Sequence, residues 1–152
     1  MMTTTAADTS ELAAIERLLY QEATYLDKGD LDNWLTLYAE DGTYWMPVIE
    51  DQQDPINHVS LFYDDRVMME IRKRNFVHPR AASKDHKVRS SHIIANIRVE
   101  AKDDTTGNCT VGSNFQALQY YRGEQVMYGG TYTHELIAID DSYKIKSKRV
   151  DL

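Results

Sequence analysis

Five histidines and one cysteine are the residues here with the most versatile chemistry: His58, His78, His86, His92, His134 and Cys109. A mononuclear iron site needs two histidines and a carboxylate converging on one ion within about 2–2.5 Å. His86 and His92 stand six positions apart, roughly 20 Å along an extended chain, so they share no ion unless the chain folds back. The sequence contains no HExxH, no Cys/His pair at metal-binding spacing and no Asp-x-x-His-x4-His. A lone cysteine makes no internal disulfide, thiolate cage or iron–sulfur cluster, and Cys109 opens a strand pattern, G-N-C-T-V, where a packing role is expected. Gly129-Gly130 is isolated within another strand pattern and is no phosphate loop. Ser91 and His92 are adjacent, but neighbours on a strand point to opposite faces and cannot form a nucleophile–base pair.

Acid–base work is the catalytic option that remains. His92 shares a strand face with Ile94 and Asn96, and His134 shares one with Tyr132 and Leu136. With Asp41, Tyr44 or Arg89 nearby, a dyad could abstract a proton inside an apolar pocket. Asp41, Tyr44, His92 and His134 are the candidates on that reading. The competing reading for each histidine is a buried ring satisfied by a backbone carbonyl, or an exposed one.

The elements that must position these groups follow from periodicity. Ile15, Leu18, Leu19, Glu22 and Leu26 keep helical spacing, so Leu12 to Leu26 reads as an amphipathic helix capped by Thr9 or Ser10. Asp30 caps a second helix whose stripe is Leu31, Trp34, Leu35 and Tyr38, and E-D-G ends it at Gly42. T43-Y-W-M-P-V48 is a short strand dividing alternate residues between the core and a partner surface, with Pro47 ending its ladder. Residues 49–57 form a polar loop, and a third helix is expected from about Leu61 to Asn75. Val67, Met68 and Ile71 face inward in it, and Glu70 pairs with Arg74. Residues 76–87 read as loop.

From Val88 the pattern is β. Ile93, Ala95, Ile97 and Val99 share one face of a long strand, and strands at about 109–121 and 125–139 follow. Gly129-Gly130 suggests a bulge or bend. The last strand carries Lys144, Lys146 and Lys148 on one face. Helices first and consecutive hairpins afterwards make an α+β fold, a strongly bent mixed or antiparallel sheet with the N-terminal helices packed in its concavity. Residues 1–9 are expected to be a disordered lead and 10–152 one cone-shaped domain.

Composition removes other classes. The 152 residues, 42% hydrophobic and 27% charged, suffice for one core. The N-terminal stretch MMTTTAADTSEL is no secretory signal, and no segment reaches the length of a membrane span. A cytoplasmic location with no membrane partner is therefore expected. The net charge of −7 is uneven: residues 1–65 sum to −12, 66–98 to +7 and 99–152 to −2. The acidic majority argues against nucleic acid, and the basic block is not interleaved with stacking aromatics. Acidic and basic surfaces pairing within the fold or between subunits explain the asymmetry.

Three pieces occur in the order and spacing of one family: W34-L-T-L-Y-A-E-D-G-T-Y-W-M-P47, N57-H-V-S-L-F-Y-D-D-R66 and R89-S-S-H-I-I-A-N-I-R-V99. The chain resembles the small (β) subunit of bacterial aromatic-ring-hydroxylating dioxygenases, over nearly its whole length after residue 11. The resemblance implies a nuclear transport factor 2-like cone, shared with scytalone dehydratase and ketosteroid isomerase. It implies a β subunit without a catalytic centre of its own and a partner α subunit holding the Rieske iron–sulfur cluster and the mononuclear iron. Three α and three β subunits would form a hexamer, with electrons arriving from NADH through a reductase, sometimes with a ferredoxin. The complex would add both atoms of dioxygen to an aromatic ring, giving a cis-dihydrodiol in catabolism.

Tyr44, Trp45, Met46, Pro47, Tyr63, Asp64, Asp65, Arg66 and Arg89 are then candidate subunit contacts, along with the basic loop 72–89 and the lysine face. F62-Y-D-D-R66 also reads as a capped helix start, with Arg66 pairing to Glu70. Many family members continue past the final strand with a short tail, whereas this sequence stops at R149-V-D-L152. The alternatives from other classes are a stand-alone dehydratase or isomerase, which needs a roomy cavity where a histidine meets a carboxylate, and a small-molecule-binding module, which needs the cavity alone.

Overall fold

The computed structural model describes residues 2–3, 9–47, 60–77 and 89–152. In chain order the elements are β1 (Met2–Thr3), α1 (Thr9–Lys28), α2 (Leu31–Thr36), β2 (Tyr38–Pro47) and β3 (Ser60–Asp64). Then come α3 (Arg66–Val77), β4 (Arg89–Asp103), β5 (Cys109–Tyr121), β6 (Glu124–Ile139) and β7 (Ser142–Asp151). All strands join one sheet in the order β1-β4-β5-β6-β7-β2-β3. Its neighbours are antiparallel except β2 and β7, which run parallel. The architecture is the α+β arrangement expected, with the N-terminal helices against one face of a mixed sheet. The first nine residues are not simply a lead, because Met2 and Thr3 pair with Asp103 and Lys102 and Thr9 begins α1.

Helix α1 buries Ile15, Leu18, Leu19, Glu22 and Ala23; the predicted stripe holds except that Ala23 is buried and Leu26 is half-buried. Gly29 stops it: at φ 67° this residue is left-handed, so Gly29 N–H bonds Leu26 O and Asp30 N–H bonds Tyr25 O, a double closure that glycine permits without Cβ strain. Asp30 caps α2 as expected, its side chain accepting from Asn33 N–H at 3.3 Å. The second helix is shorter than its stripe suggests. Leu37 O accepts from Ile145 N–H at 2.8 Å, which draws the chain into the sheet, so Tyr38 starts a strand. A39-E-D-G42 is thus strand and not the end of a helix, although the pairing of β2 with β7 shifts register between Tyr38 and Thr43.

The motif around residue 64 splits differently from the expectation. F62-Y-D64 belongs to β3, and the helix begins at Arg66. Asp65 caps it, accepting from Met68 N–H at 2.9 Å. Arg66 pairs with Glu70 at 3.7 Å, and Glu70 takes Lys73 rather than Arg74 as its second partner. Among the described side chains of α3, Met69 is buried, whereas Val67, Met68 and Ile71 lie exposed. The loop expected at 49–57, most of the basic loop, and His58, His78 and His86 lie outside the described residues.

Two bulges set which residues enter the core. On β4, Ser90, His92 and Ile94 point inward; the register then slips between Ala95 and Arg98, where Asn96 has φ 56°. Beyond the slip Ile97 and Val99 point inward. Ile93 and Ala95 therefore face out, against the expectation of one continuous face. On β7, Ile145 pairs with Leu136 but Ser147 pairs with Glu135, so Lys146 is an extra residue and alternation inverts there. The predicted lysine face dissolves. Lys144 bonds Thr36 O, Lys146 bonds Asp41, and Lys148 turns into the core. Gly129-Gly130 shows no register slip; a Cβ on Gly130 would instead lie 1.9 Å from Asp151 O, so close backbone approach explains the glycine.

The register produces two rows across six strands. Val99, Val111, His134, Lys148, Tyr44 and Asp64 are successive partners on the inner face. Arg98, Gly112, Thr133, Arg149, Trp45 and Tyr63 are successive partners on the outer face. T43-Y-W-M-P47 divides between the two faces: Tyr44 and Met46 pack against the core, and Trp45 lies outside under the Arg149 guanidinium, 4.5 Å from its ring centroid.

Candidate functional site

The inner row brings His134 of β6 beside Lys148 of β7, and α1 lays Glu22 across both. Glu22 Oε1 receives His134 Nε2 at 2.9 Å and Lys148 Nζ at 3.0 Å. Glu22 Oε2 accepts from Trp34 Nε1–H at 3.0 Å and Tyr38 O–H at 2.8 Å. Lys148 also lies over the Tyr132 ring at 4.0 Å, and that ring stacks on Phe115 at 4.1 Å. Four elements therefore converge on one carboxylate that is 2% exposed. His134 Nδ1 and Ser113 Oγ are buried without a hydrogen-bond partner.

The electrostatics fix the charges. Burial alone would raise the Glu22 carboxyl, but the Lys148 charge, then the His134 hydrogen bond and charge and the Tyr38 bond, outweigh it and hold the group well below the carboxylate range. Burial lowers Lys148, and Glu22 opposes the shift. Burial also lowers His134, which the Glu22 contact offsets only partly and the Lys148 charge reinforces. Burial, then Glu22, pushes Tyr38 well above its usual value. We assign the cluster as a carboxylate–ammonium pair with a neutral imidazole.

Acidification has a definite sign at this cluster. His134 binds fewer protons folded than unfolded, so stability declines as pH falls below its ordinary value of 6.5. Glu22, lowered from 4.5, adds stability above that value that is lost on further acidification. His134→Gln keeps a donor toward Glu22 without a titrating ring. Thermal melts between pH 7 and pH 4.5 should fall for the native chain and fall distinctly less for the variant. Parallel curves would reject this assignment.

A second carboxylate–imidazole pair lies nearer the surface. Asp27, in the last turn of α1, contacts His92 Nδ1 at 2.5 Å, and accepts from Ser90 O–H at 3.1 Å and His92 backbone N–H at 2.9 Å. The structure thus brings each predicted histidine to a carboxylate, but not the predicted one. Asp41 is exposed on Lys146, away from both rings, and Arg89 lies over the Tyr120 ring at 4.8 Å. Tyr44 borders the cluster through Trp34 and Lys148. Glu22 carried the available signal, a carboxylate on a stripe that is otherwise apolar.

Space decides what the pairs can do. The gap among Leu19, Ala23, Leu26, Ile94 and Tyr132 around the inner cluster admits no water molecule. A histidine meeting a carboxylate satisfies half of the stand-alone enzyme's requirement. The roomy cavity is missing among the described residues.

Residues 21–152 match the family model described as ring hydroxylating beta subunit. The chain is 31% identical over 157 residues to the benzoate 1,2-dioxygenase subunit beta of Acinetobacter baylyi, covering 100% of this chain and 92% of that one. The chain belongs to the ring-hydroxylating β-subunit family. Among solved structures, the benzoate 1,2-dioxygenase β subunit of Burkholderia mallei superposes with a TM-score of 0.79 at 31% identity, covering 97% of this chain and 92% of that one. A scytalone dehydratase-like protein of Novosphingobium aromaticivorans shares the cone at a TM-score of 0.69 and 19% identity, over 92% of this chain and 82% of that one. That likeness concerns the fold alone.

As a ring-hydroxylating β subunit, the chain is the small part of a multicomponent dioxygenase that also has an α subunit. The β subunit is not itself the catalytic component. A Rieske cluster needs two cysteines and two histidines; Cys109 stands alone and buried, its thiol pushed up to about 11 by burial. Among the described residues no group of His, Cys, Asp or Glu is placed to hold a metal. No helix among them is long and apolar enough to cross a membrane.

Of the nine candidate contact residues, Tyr44, Met46 and Asp64 face inward, Asp64 being held by Arg72 Nη2 at 3.2 Å, and Pro47 is buried. Arg66 reaches back to Tyr38 O at 3.2 Å. Tyr63, Asp65 and Arg89 remain exposed, and Trp45 is half-buried on the outer face.

Proposed function

We propose that this chain is the non-catalytic scaffold of a cytoplasmic dioxygenase hexamer of three α and three β subunits. The Rieske cluster and the mononuclear iron reside in α. By likeness to its benzoate relatives, the complex dihydroxylates an aromatic ring, and a ring bearing a carboxylate is the favoured substrate class. The observation that supports the scaffold role is that, among the described residues, the inner face holds the Glu22–Lys148 ion pair under stacked aromatics with no room for a water beside it. Trp45, Tyr63, Asp65 and Arg89 are the remaining candidate subunit contacts of the predicted set. The exposed Val67, Met68 and Ile71 of α3 are apolar surface that such contacts would cover.

The test is to produce α with and without this chain. Native mass spectrometry should give a hexamer with it and smaller species without it. Conversion of benzoate to a cis-diol should fall at least about tenfold without it, a conservative loss for misplaced redox partners. Full activity and a trimer from α alone would remove the scaffold role.

A further inference from the structure

Strand β4 has a neighbour on one side only over most of its length. β5 pairs with it from Arg89 to Lys102, whereas β1 meets its other side only at Lys102 and Asp103. Among the described residues, no strand lies beside 89–101 on that second edge. Backbone groups of alternate residues face the same edge of an antiparallel strand, and an uncovered row of them is a template for another strand. The stretch between Arg89 and Arg98, S-S-H-I-I-A-N-I, holds three isoleucines and no proline, glycine, lysine, arginine or carboxylate. That composition favours strand stacking. Its outward side chains do not oppose it, because Ser91, Ile93 and Ala95 are exposed and uncharged.

Two side chains occupy the edge. His92 pairs with Ala117 of β5, but its N–H donates to Asp27 Oδ2 at 2.9 Å, so this amide faces the uncovered side. The same carboxylate accepts from Ser90 O–H at 3.1 Å and contacts His92 Nδ1 at 2.5 Å. Further along, where the register slips, Arg98 Nη1 donates to the Asn96 carbonyl at 2.8 Å. The placement of Asp27 has no explanation within its own helix. It sits in the last turn of α1, where the negative end of the helix disfavours an acid. Its three contacts on β4 supply the reason.

We propose that the Asp27 carboxylate is an edge guard, an inhibitory contact that keeps an extended, uncharged strand from adding to β4. An incoming strand needs the His92 amide, and to take it must break a charge-assisted bond and strand the anion. Arg98 closes the edge in the same way at Asn96. The open stretch is thereby confined to the residues around Ile94.

The experiment uses the full chain. Asp27→Ala removes the guard, and Asp27→Asn, of the same shape, removes its charge with the least risk to folding. Glu11→Ala is the control: it frees the other end of α1 from Lys102, to which Glu11 bonds at 2.6 Å, where β1 already pairs with β4. Circular dichroism sets each variant to the same folded fraction. Thioflavin T fluorescence and the infrared band of intermolecular strands then follow ordered aggregation. Growth in Asp27→Ala should exceed that in Glu11→Ala about tenfold or more, the weight of one hydrogen bond to a charged acceptor. Asp27→Asn should fall between them. Adding Ile93→Lys, a charge in the middle of the open stretch, should return growth to the control level.

Growth no faster in either folded Asp27 variant than in Glu11→Ala overturns the proposal. Faster growth that Ile93→Lys leaves unchanged also overturns it, because the added strand then pairs elsewhere.

Discussion

Glu22→Ala is expected to lower the free energy of unfolding by about 3–5 kcal/mol, the usual consequence of removing one member of a buried ion pair. Lys148 is 1% exposed and His134 0% exposed, so neither can recover water when the carboxylate leaves. The ammonium would keep only the Tyr132 and Tyr44 ring faces, and Trp34 and Tyr38 would lose their acceptor. The companion variant separates this account from a plain cavity. Glu22→Leu with Lys148→Met removes both charges together, and buried pairs replaced in this way are often neutral or better. Urea unfolding should therefore place the double variant well above Glu22→Ala. If it is the less stable of the two, buried charge is not the cause.

Trp34→Ala should cost a similar amount, about 3–5 kcal/mol for a large aromatic removed from a packed core. Its ring meets Tyr38 edge-on at 5.0 Å and Tyr44 at 6.2 Å, and its indole N–H holds Glu22. Trp34→Phe keeps most of the volume and isolates that hydrogen bond, at about 1.5–3 kcal/mol for a bond to a charged acceptor. Trp45, eleven positions on, is the internal control. It lies on the outer face with Arg149 stacked on it, so Trp45→Ala should cost only about 1 kcal/mol in the isolated chain. Equal losses at the two tryptophans in denaturant titrations would contradict the inward and outward assignment.

The sequence was most informative where a signal is local. The stripe of α1, the Asp30 cap and the alternation of T43-Y-W-M-P47 are set by neighbouring residues, and the structure has them. The three family pieces led to the right lineage because their order holds over the whole chain. The cluster itself was not legible. Periodicity placed Glu22 on the buried stripe, but its partners lie 112 and 126 residues further on, and they face it because of pairing. Lys148 looked like one of three surface lysines, since a period of two cannot show the extra residue at Lys146. The same blindness misplaced Ile93 and Ala95, outside the core because of the slip near Asn96. Tyr38 read as helix because its stripe continued, and only the bond from Ile145 to Leu37 overrides it.

The parallel ladder between β2 and β7 governs the timing of biogenesis. Thr43 pairs with Ser147 and Trp45 with Arg149, so β2, which has β3 on its other edge early, finds β7 only after the last strand has been synthesised. At about 5–20 residues per second on the ribosome, helices α1 and α2 wait roughly 5–20 s with Glu22 and Trp34 unsheltered. Nascent chains of this subunit are therefore obliged to remain open until translation is nearly finished, and a ribosome stalled before Ser142 would display a sticky half-sheet to chaperones and to sibling chains.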